Sequence, residues 1–387
     1  MPELLWLVLF MLAIGSGWWL GRRERQPHVQ RRGAAAISNN HLLDDQPDAA
    51  LQRLVEALEV SNETFETHLG VGRQFRQRGE LAKATEVHQN LLTRPELGRS
   101  QQERAQLELA NDFLSAGELS RAEPLLQNLV DSGAAVLLQA LRSLLRIYER
   151  EREWAKAIEV GARLAGEDPA VRVATAHYHC ELAEQQLRRR EAQAARPLLL
   201  QALRGDPGCV RASLILARLD WQAGHADAAM RQLLQVVEQD AELFAEALPP
   251  LLQYAASDEA RLRLEQVLGR ILERFDARRA DPLQLALADL IAQRVGSAAA
   301  IEHLQQCLAR QPSLPLMLRL LDYQRDSAPE ACRAQLSPLR EALASLLASA
   351  PLYRCHHCGF QSRQLYWQCP ACHGWSTIRR QLRPGLA

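Results

Sequence analysis

GELAKATEV at residues 79–87, GELSRAEPL at residues 117–125 and REWAKAIEV at residues 152–160 repeat one pattern: a turn, polar residues, and then a small residue inside an amphipathic helix. Related phrases begin at Gln46, Arg190 and Gly224. The last alanines of the six phrases are Ala50, Ala84, Ala122, Ala157, Ala195 and Ala229. The steps between these alanines are 34, 38, 35, 38 and 34 residues. A period of this length predicts stacked helical repeats.

Two other positions recur in the same register. Small residues stand twelve positions before three of the alanines, at Gly72, Ala183 and Ala217, and aromatic residues stand nine positions before three, at Phe75, Phe113 and Tyr148. This register resembles the tetratricopeptide repeat. The resemblance implies a mainly α fold, a right-handed solenoid over residues 41–345 that becomes degenerate after about residue 240. Aromatic residues make up only 5% of the chain and no alternating Val/Ile/Thr run is present, so any sheet must be small.

The sequence YRCHHCGFQSRQLYWQCPACHGWSTI at residues 353–378 contains two Cys-x2-Cys turns separated by ten residues. Turns at this separation can bring four thiolates to the corners of a tetrahedron, the geometry of structural zinc and of rubredoxin-type iron. We expect one metal ion, iron or zinc, in a small domain at residues 350–387, which buries too little apolar surface to fold without it. The expected ligands are Cys355, Cys358, Cys369 and Cys372.

Other residues of this cysteine-rich segment also have expected roles. Gly359 suits the left-handed backbone position after a metal knuckle, whereas the second knuckle has His373 there. His356 and His357 could replace a ligand, but four cysteines already complete the site, so we expect both to be exposed. The aromatic residues are expected either to form the small core of the domain or to contact the repeats; they are Tyr366, Trp367 and Trp375.

The amino-terminal sequence reads as a membrane anchor. Residues 4–20 form a run of seventeen residues without a charge, which as a helix spans roughly 25 Å. Trp18 and Trp19 suit the membrane interface, and five arginines follow directly, so the positive-inside rule places the amino terminus in the periplasm and the bulk of the chain in the cytoplasm. The predicted segments are an anchor at 1–21 and a linker at 22–40. A cleaved signal peptide or a buried core helix fits less well, because the basic residues follow the apolar run.

Composition and motifs limit the functional classes. The 46 basic and 46 acidic residues cancel to a formal charge of +0, which argues against a nucleic-acid binder. No phosphate-binding loop, nucleophile elbow or His-Glu helix motif is present, so we expect no enzyme activity. The sequence HYHC at residues 177–180 resembles a metal cluster, but its spacing on a helix favours packing. The isolated cysteines, expected to be small buried residues, are Cys180, Cys209, Cys307 and Cys332.

The order of anchor, arginine-rich linker, helical repeats and four-cysteine tail resembles the lipopolysaccharide assembly protein B family of Gram-negative bacteria. The residues that carry the resemblance are ELLWLVL from Glu3, REWAKAIEV from Arg152, YRCHHCGF from Tyr353 and LYWQCPAC from Leu365. The resemblance covers the whole chain.

This resemblance implies an inner-membrane adaptor. Such a protein would promote degradation of the LpxC deacetylase by the membrane protease FtsH, respond to a lipopolysaccharide-sensing inner-membrane protein, contact membrane lipid and hold iron in its four-cysteine site. A general scaffold for membrane enzymes and a rubredoxin-like electron-transfer protein are the alternatives. The sequence leaves the oligomeric state open, a homodimer included.

Overall fold

The computed structural model describes residues 60–274 and 280–381. The predicted anchor, the predicted linker and the first repeat phrase, which contains Ala50, lie outside these residues. The described residues form the expected mainly helical tetratricopeptide-type array, followed by a small knuckle domain. The chain divides after Ala140 into two compact units.

The described residues contain sixteen α-helices. They are α1 Phe65–Gln77, α2 Leu81–Leu92, α3 Arg99–Ala116, α4 Leu119–Asp131, α5 Leu137–Glu151, α6 Trp154–Leu164, α7 Pro169–Arg188, α8 Ala192–Gly205, α9 Val210–Gln222, α10 Ala226–Gln239, α11 Leu248–Tyr254, α12 Asp258–Leu272, α13 Asp281–Arg294, α14 Ser297–Arg310, α15 Leu314–Ser327 and α16 Glu330–Ser349. Helices joined by a short turn pack against each other, as α1 does on α2, α7 on α8 and α9 on α10.

The turn between the two helices of a repeat is the same in five repeats. One residue in each adopts a left-handed backbone conformation, always five positions before the aligned alanine: Gly79, Gly117, Arg152, Arg190 and Gly224. The amide of the next residue donates a hydrogen bond to a carbonyl in the last turn of the first helix. Glu118 N donates to Phe113 O at 2.8 Å, and Glu153 N donates to Tyr148 O at 2.9 Å. Arginine therefore occupies a glycine-type position in two of the turns.

The aligned alanines mark where the two helices of a repeat meet. Ala84, Ala122, Ala157, Ala195 and Ala229 are all 0% exposed. Gly72 shows why the partner position must be small: a Cβ added there would lie 2.3 Å from Nε2 of His88. The repeat register read from the sequence is therefore the packing register of the fold.

The second half of the array begins with short elements. A 3-10 turn at Phe244–Glu246 precedes α11. From α12 onward each helix packs against the next, as far as α16. Burial declines towards the end of the array, where Leu316 is the one buried hydrophobic residue of α15. Within the described part of the chain, no helix is long and apolar enough to cross a membrane.

Candidate metal centre and its seat on the repeats

The knuckle domain is a three-stranded antiparallel sheet that carries two metal knuckles. Its strands are β1 Tyr353–Cys355, β2 Gln361–Ser362 and β3 Ile378–Arg380, in the order β2-β1-β3. Cys355 ends β1, and Ile378 pairs with it from β3. The sheet therefore places the first knuckle beside the strand that follows the second knuckle.

The two knuckles share one backbone design. Cys355 N donates to Phe360 O at 2.8 Å, and Cys369 N donates to Gly374 O at 2.9 Å, five residues ahead in both cases. Gly359 has φ 80°, and His373, at the matching place, has φ 57°. The left-handed position expected at Gly359 is therefore present, and histidine adopts it in the second knuckle, which is a conformation that histidine tolerates better than most residues.

The structure brings the four predicted cysteines together. Their sulfurs all lie within 4.8 Å of one another. Two of these distances join the two knuckles: 3.7 Å between Cys355 Sγ and Cys372 Sγ, and 3.6 Å between Cys358 Sγ and Cys369 Sγ. A tetrahedral ion with metal–sulfur bonds of about 2.3 Å requires sulfurs about 3.8 Å apart. The four side chains therefore fit one tetrahedral thiolate-bound ion.

Electrostatics at the site also favour a cation. Burial raises the pKa of Cys355, but a hydrogen bond with Thr377 and hydrogen bonds from the amides of Cys358 and His357 outweigh it and lower that pKa to about 6. The amide of Gly374 lowers the pKa of Cys372, but burial and the neighbouring thiols raise it to about 12. Since four adjacent thiolates repel one another, a divalent cation is what allows all four to ionise.

The ligands differ in exposure. Cys355 and Cys369 are 1% and 0% exposed, whereas Cys358 is exposed and Cys372 is half-buried. His356 and His357 are exposed, as expected. Among the described residues, the four cysteines are the one group of three or more cysteine, histidine or acidic side chains with metal-binding spacing.

The second knuckle rests on the repeats through Trp375. Its indole Nε1 donates to Oε1 of Glu149 on α5 at 2.8 Å. Its ring stacks on His177 of α7 with the centroids 5.0 Å apart and the planes at 19°. Ser376 Oγ lies 2.6 Å from Nε2 of His177.

Polar contacts also hold the sheet of the knuckle domain to the repeats. Tyr353 OH donates to Oε1 of Glu246 at 2.5 Å. The Arg379 guanidinium lies 3.1 Å from Oδ2 of Asp240. Glu246 ends the 3-10 turn and Asp240 follows α10, so this edge of the domain is fixed to a different repeat from the second knuckle.

The three aromatic residues of the cysteine-rich segment were expected either to form the core of the domain or to contact the repeats, and the structure shows both. Trp367 lies 5.8 Å from the His177 ring, and Trp375 contacts the same ring, so both meet the repeats. Tyr366 instead packs within the domain, edge-on to Phe360. Sequence reasoning missed Glu149 as the acceptor, because a glutamate in the helix end ERERE has no feature that separates it from a solvated residue.

His177 and Cys180 confirm the packing interpretation of HYHC. They are 1% and 0% exposed. Burial, followed by the charges of Arg211 and Arg379, lowers the pKa of His177 to about 3. His177 is therefore neutral at physiological pH, and it joins the seat of the knuckle domain as well as the helix core.

The expectation for the isolated cysteines is wrong at two positions. Cys180 and Cys209 are buried, with their sulfurs 3.8 Å apart. Cys307 is only half-buried and Cys332 is exposed. The physical reason is that both lie in the last two helix pairs, where fewer neighbours cover each helix.

Comparison with known proteins agrees with this architecture. The family model for a rubredoxin metal binding domain matches residues 353–380, and the model for a tetratricopeptide repeat matches residues 107–171 and 180–261. Lipopolysaccharide assembly protein B of Escherichia coli (strain K12) is 35% identical over 389 residues, which cover 98% of both chains. The chain belongs to the lipopolysaccharide assembly protein B family.

A second relative extends the comparison. Lipopolysaccharide assembly protein B of Haemophilus influenzae (strain ATCC 51907 / DSM 11121 / KW20 / Rd) is 34% identical over 403 residues, again covering 98% of both chains. Because both alignments run over nearly the full length, the lipopolysaccharide assembly protein B relatives match the repeats and the knuckle domain together. The family resemblance inferred from the sequence is confirmed.

Proposed function

We propose that this chain is a non-enzymatic, membrane-anchored adaptor that regulates lipopolysaccharide biosynthesis. The observation that carries the proposal is the near full-length match to lipopolysaccharide assembly protein B, together with a tetratricopeptide array. Repeats of this kind present an extended concave surface to other proteins. The function of such a surface is to hold partners close to one another, which requires no reaction centre.

The proposed partners are an LpxC-type deacetylase and an FtsH-type membrane protease. In this proposal the array holds the soluble deacetylase beside the protease and so shortens its lifetime. A lipopolysaccharide-sensing inner-membrane protein would set how strongly the adaptor acts. The anchor at residues 1–21 would keep the array at the inner membrane, with the repeats on the cytoplasmic side and the linker beside anionic lipid.

A pulse-chase measurement of the deacetylase tests this adaptor function. Its half-life is compared in a strain lacking the protein and in strains that carry the full chain, the chain without residues 1–21, or the chain with those residues replaced by an unrelated membrane span. We expect a longer half-life in the deletion strain and restoration by the full chain but not by the chain without residues 1–21. Restoration by the unrelated span would identify the anchor as a tether, and an unchanged half-life on deletion contradicts the proposal.

Electron transfer is a second candidate, favoured by one observation. Cys358 is exposed, so one edge of the thiolate site faces solvent and an electron could pass there. Metal analysis and voltammetry of the purified chain distinguish the two functions. A reversible iron couple would support electron transfer, and a chain that holds only zinc while still shortening the half-life of the deacetylase would exclude it.

A further inference from the structure

Four side chains of the repeats form a pocket around Trp375. Glu149 comes from the end of α5, Trp154 begins α6, and His177 and Tyr178 lie on α7. The rings of Trp154 and Tyr178 stack with centroids 5.7 Å apart and planes at 19°. We call these four residues the aromatic patch.

The aromatic patch matches an indole in both shape and hydrogen bonding. The Trp375 ring is stacked on His177 and lies edge-on to Tyr178 and Trp154, with centroids 5.7 and 6.1 Å away. Tyr178 OH donates to Oε1 of Glu149 at 2.7 Å, and Trp375 Nε1 donates to the same oxygen. Glu149 thus accepts one hydrogen bond from within the patch and one from the indole N–H. This N–H is the only polar group of the tryptophan side chain, and it needs an acceptor when it is buried.

Trp375 is held in place by the second metal knuckle. It lies three residues after Cys372. Its backbone forms an isolated antiparallel β-bridge with Gln368, the residue just before Cys369. Ser376 N donates to Trp367 O at 2.8 Å across the same loop. A Cβ on Gly374 would lie 2.8 Å from Cγ2 of Thr377, so the loop has little room for another shape.

The knuckle domain has little else to keep that loop in shape. Its buried core residues are Tyr353, Cys355, Cys369 and Ile378, and two of these four are expected metal ligands. A domain of this size cannot hold a fold on so small an apolar core without its ion. The position of Trp375 therefore depends on whether the four thiolates are bound together.

We propose that the aromatic patch is an indole-binding site occupied in cis by Trp375, and that the metal held by the four cysteines determines whether this site is covered. With the ion bound, the second knuckle presents Trp375 and Ser376 to the patch. Without it, the loop loses its shape and the patch opens. Loss of the ion would then change the surface of the repeats as well as the knuckle domain itself. This inference does not depend on which proteins the array holds.

The reactivity of His177 in the purified full chain measures whether the patch is covered. Its ring is 1% exposed beneath Trp375 and Ser376, so diethyl pyrocarbonate should modify it only when the loop leaves. Mass spectrometry then reports modification of each histidine. Exposed His225 is an internal positive control. His88 of α2, which is 0% exposed, reports any general unfolding of the repeats.

Four preparations test the proposal: the chain loaded with zinc, the same chain after a strong chelator, a Trp375→Ala variant loaded with zinc, and a Tyr366→Phe control. Tyr366 contacts Phe360 rather than the patch. We expect modification of His177 to rise about tenfold after metal removal and in Trp375→Ala, and to remain low in the loaded wild type and the control. Adding zinc back should reverse the first change but not the second.

Metal content of every preparation is measured alongside. Trp375→Ala should keep one zinc per chain, which separates loss of the cover from loss of the ion. An unreactive His177 in the stripped chain would overturn metal control of the patch. If chelation also exposes His88, the variant decides instead: an unreactive His177 in zinc-loaded Trp375→Ala would overturn the role of Trp375.

Discussion

The helical repeats and the knuckle domain are ordered by different means. In the repeats, Ala195, Leu199 and Ala202 of α8 are all 0% exposed because neighbouring helices cover them. In the knuckle domain, the buried core has four residues, and two of them are thiols. Repeats therefore depend on their neighbours for stability, whereas the knuckle domain depends on an ion. A substitution that affects one region should therefore leave the other unchanged.

Loss of one buried ligand should have the largest effect. Cys369→Ser removes a fully buried thiolate, and structural zinc sites contribute about 10–16 kcal/mol of apparent binding free energy. We expect the variant to lose its stoichiometric metal and the order of residues 353–380, while the far-ultraviolet signal of the helices remains. Metal analysis and hydrogen exchange measure the two effects.

Cys332→Ser is the matched control, because Cys332 is an exposed thiol on α16. It should leave metal content and exchange unchanged. Full metal content in Cys369→Ser, or melting of the repeats along with the knuckle domain, would remove the contrast between the two regions.

A buried polar network should have the next largest effect, on the repeats alone. Asp112 is 0% exposed and accepts hydrogen bonds from His88 Nδ1 at 2.5 Å and Arg76 Nη1 at 2.7 Å. Asp112→Ala leaves the buried Nδ1 of His88 without its partner, at a cost of about 3 kcal/mol. Arg76 keeps its ion pair with Glu108. Urea unfolding followed by hydrogen exchange in residues 65–116 measures this loss.

Asp131→Ala is the comparison variant, since Asp131 is an exposed residue at the end of α4. It should change stability by no more than about 0.5 kcal/mol. Similar effects of the two variants would show that the network adds nothing to this part of the array.

His177, at the junction of the two regions, should make stability depend on pH. Its pKa of about 3 in the folded chain is lower than the ordinary value of 6.5, so the unfolded chain binds a proton first as the pH falls. The contribution of His177 to the free energy of unfolding is fully present above about pH 6.5 and declines as the pH falls towards 3. By pH 5 the loss should be about 2 kcal/mol.

Urea unfolding at pH 7 and pH 5 gives the change in the free energy of unfolding for the wild type and for His177→Gln. The difference between these two changes measures the loss. The variant should be less sensitive to acid, because it has no imidazole to protonate. His225→Gln, at an exposed histidine, should behave as the wild type does. Equal pH dependence in wild type and His177→Gln would contradict the assignment.

The arginines in two repeat turns should give the smallest effect, and a favourable one. Arg152 and Arg190 have φ 58° and 64°, where glycine stands in three other turns. Arg152→Gly and Arg190→Gly should each stabilise the chain by about 1 kcal/mol, because glycine adopts this conformation without steric cost. Thermal unfolding measures the gain.

Arg142→Gly provides the opposite case, since Arg142 is an exposed residue in the middle of α5. There the same substitution should destabilise the chain by about 0.5–1 kcal/mol. A loss of stability in all three variants would show that the turns gain nothing from glycine.

Much of the repeat architecture could be read from single positions. The aligned alanines are all buried because a close approach of two helices leaves room for a methyl group and little more. The two arginine turns were also readable, since REW at residue 152 stands where GEL stands at residues 79 and 117. The exposure of Cys332 could not be predicted from the sequence, because the burial of a residue near the end of an array depends on how many helices cover that residue.

The sequence by itself determined the helical period, the pairing of helices within a repeat and the four grouped cysteines, because each depends on residues a few positions or one repeat apart. Only the tertiary structure decided where the knuckle domain rests. His177 and Ser376 are 199 residues apart in the chain, and Glu149 and Trp375 are 226 apart. Contacts at such separations follow from the stacking of all the intervening helices, and they leave no local pattern in the sequence.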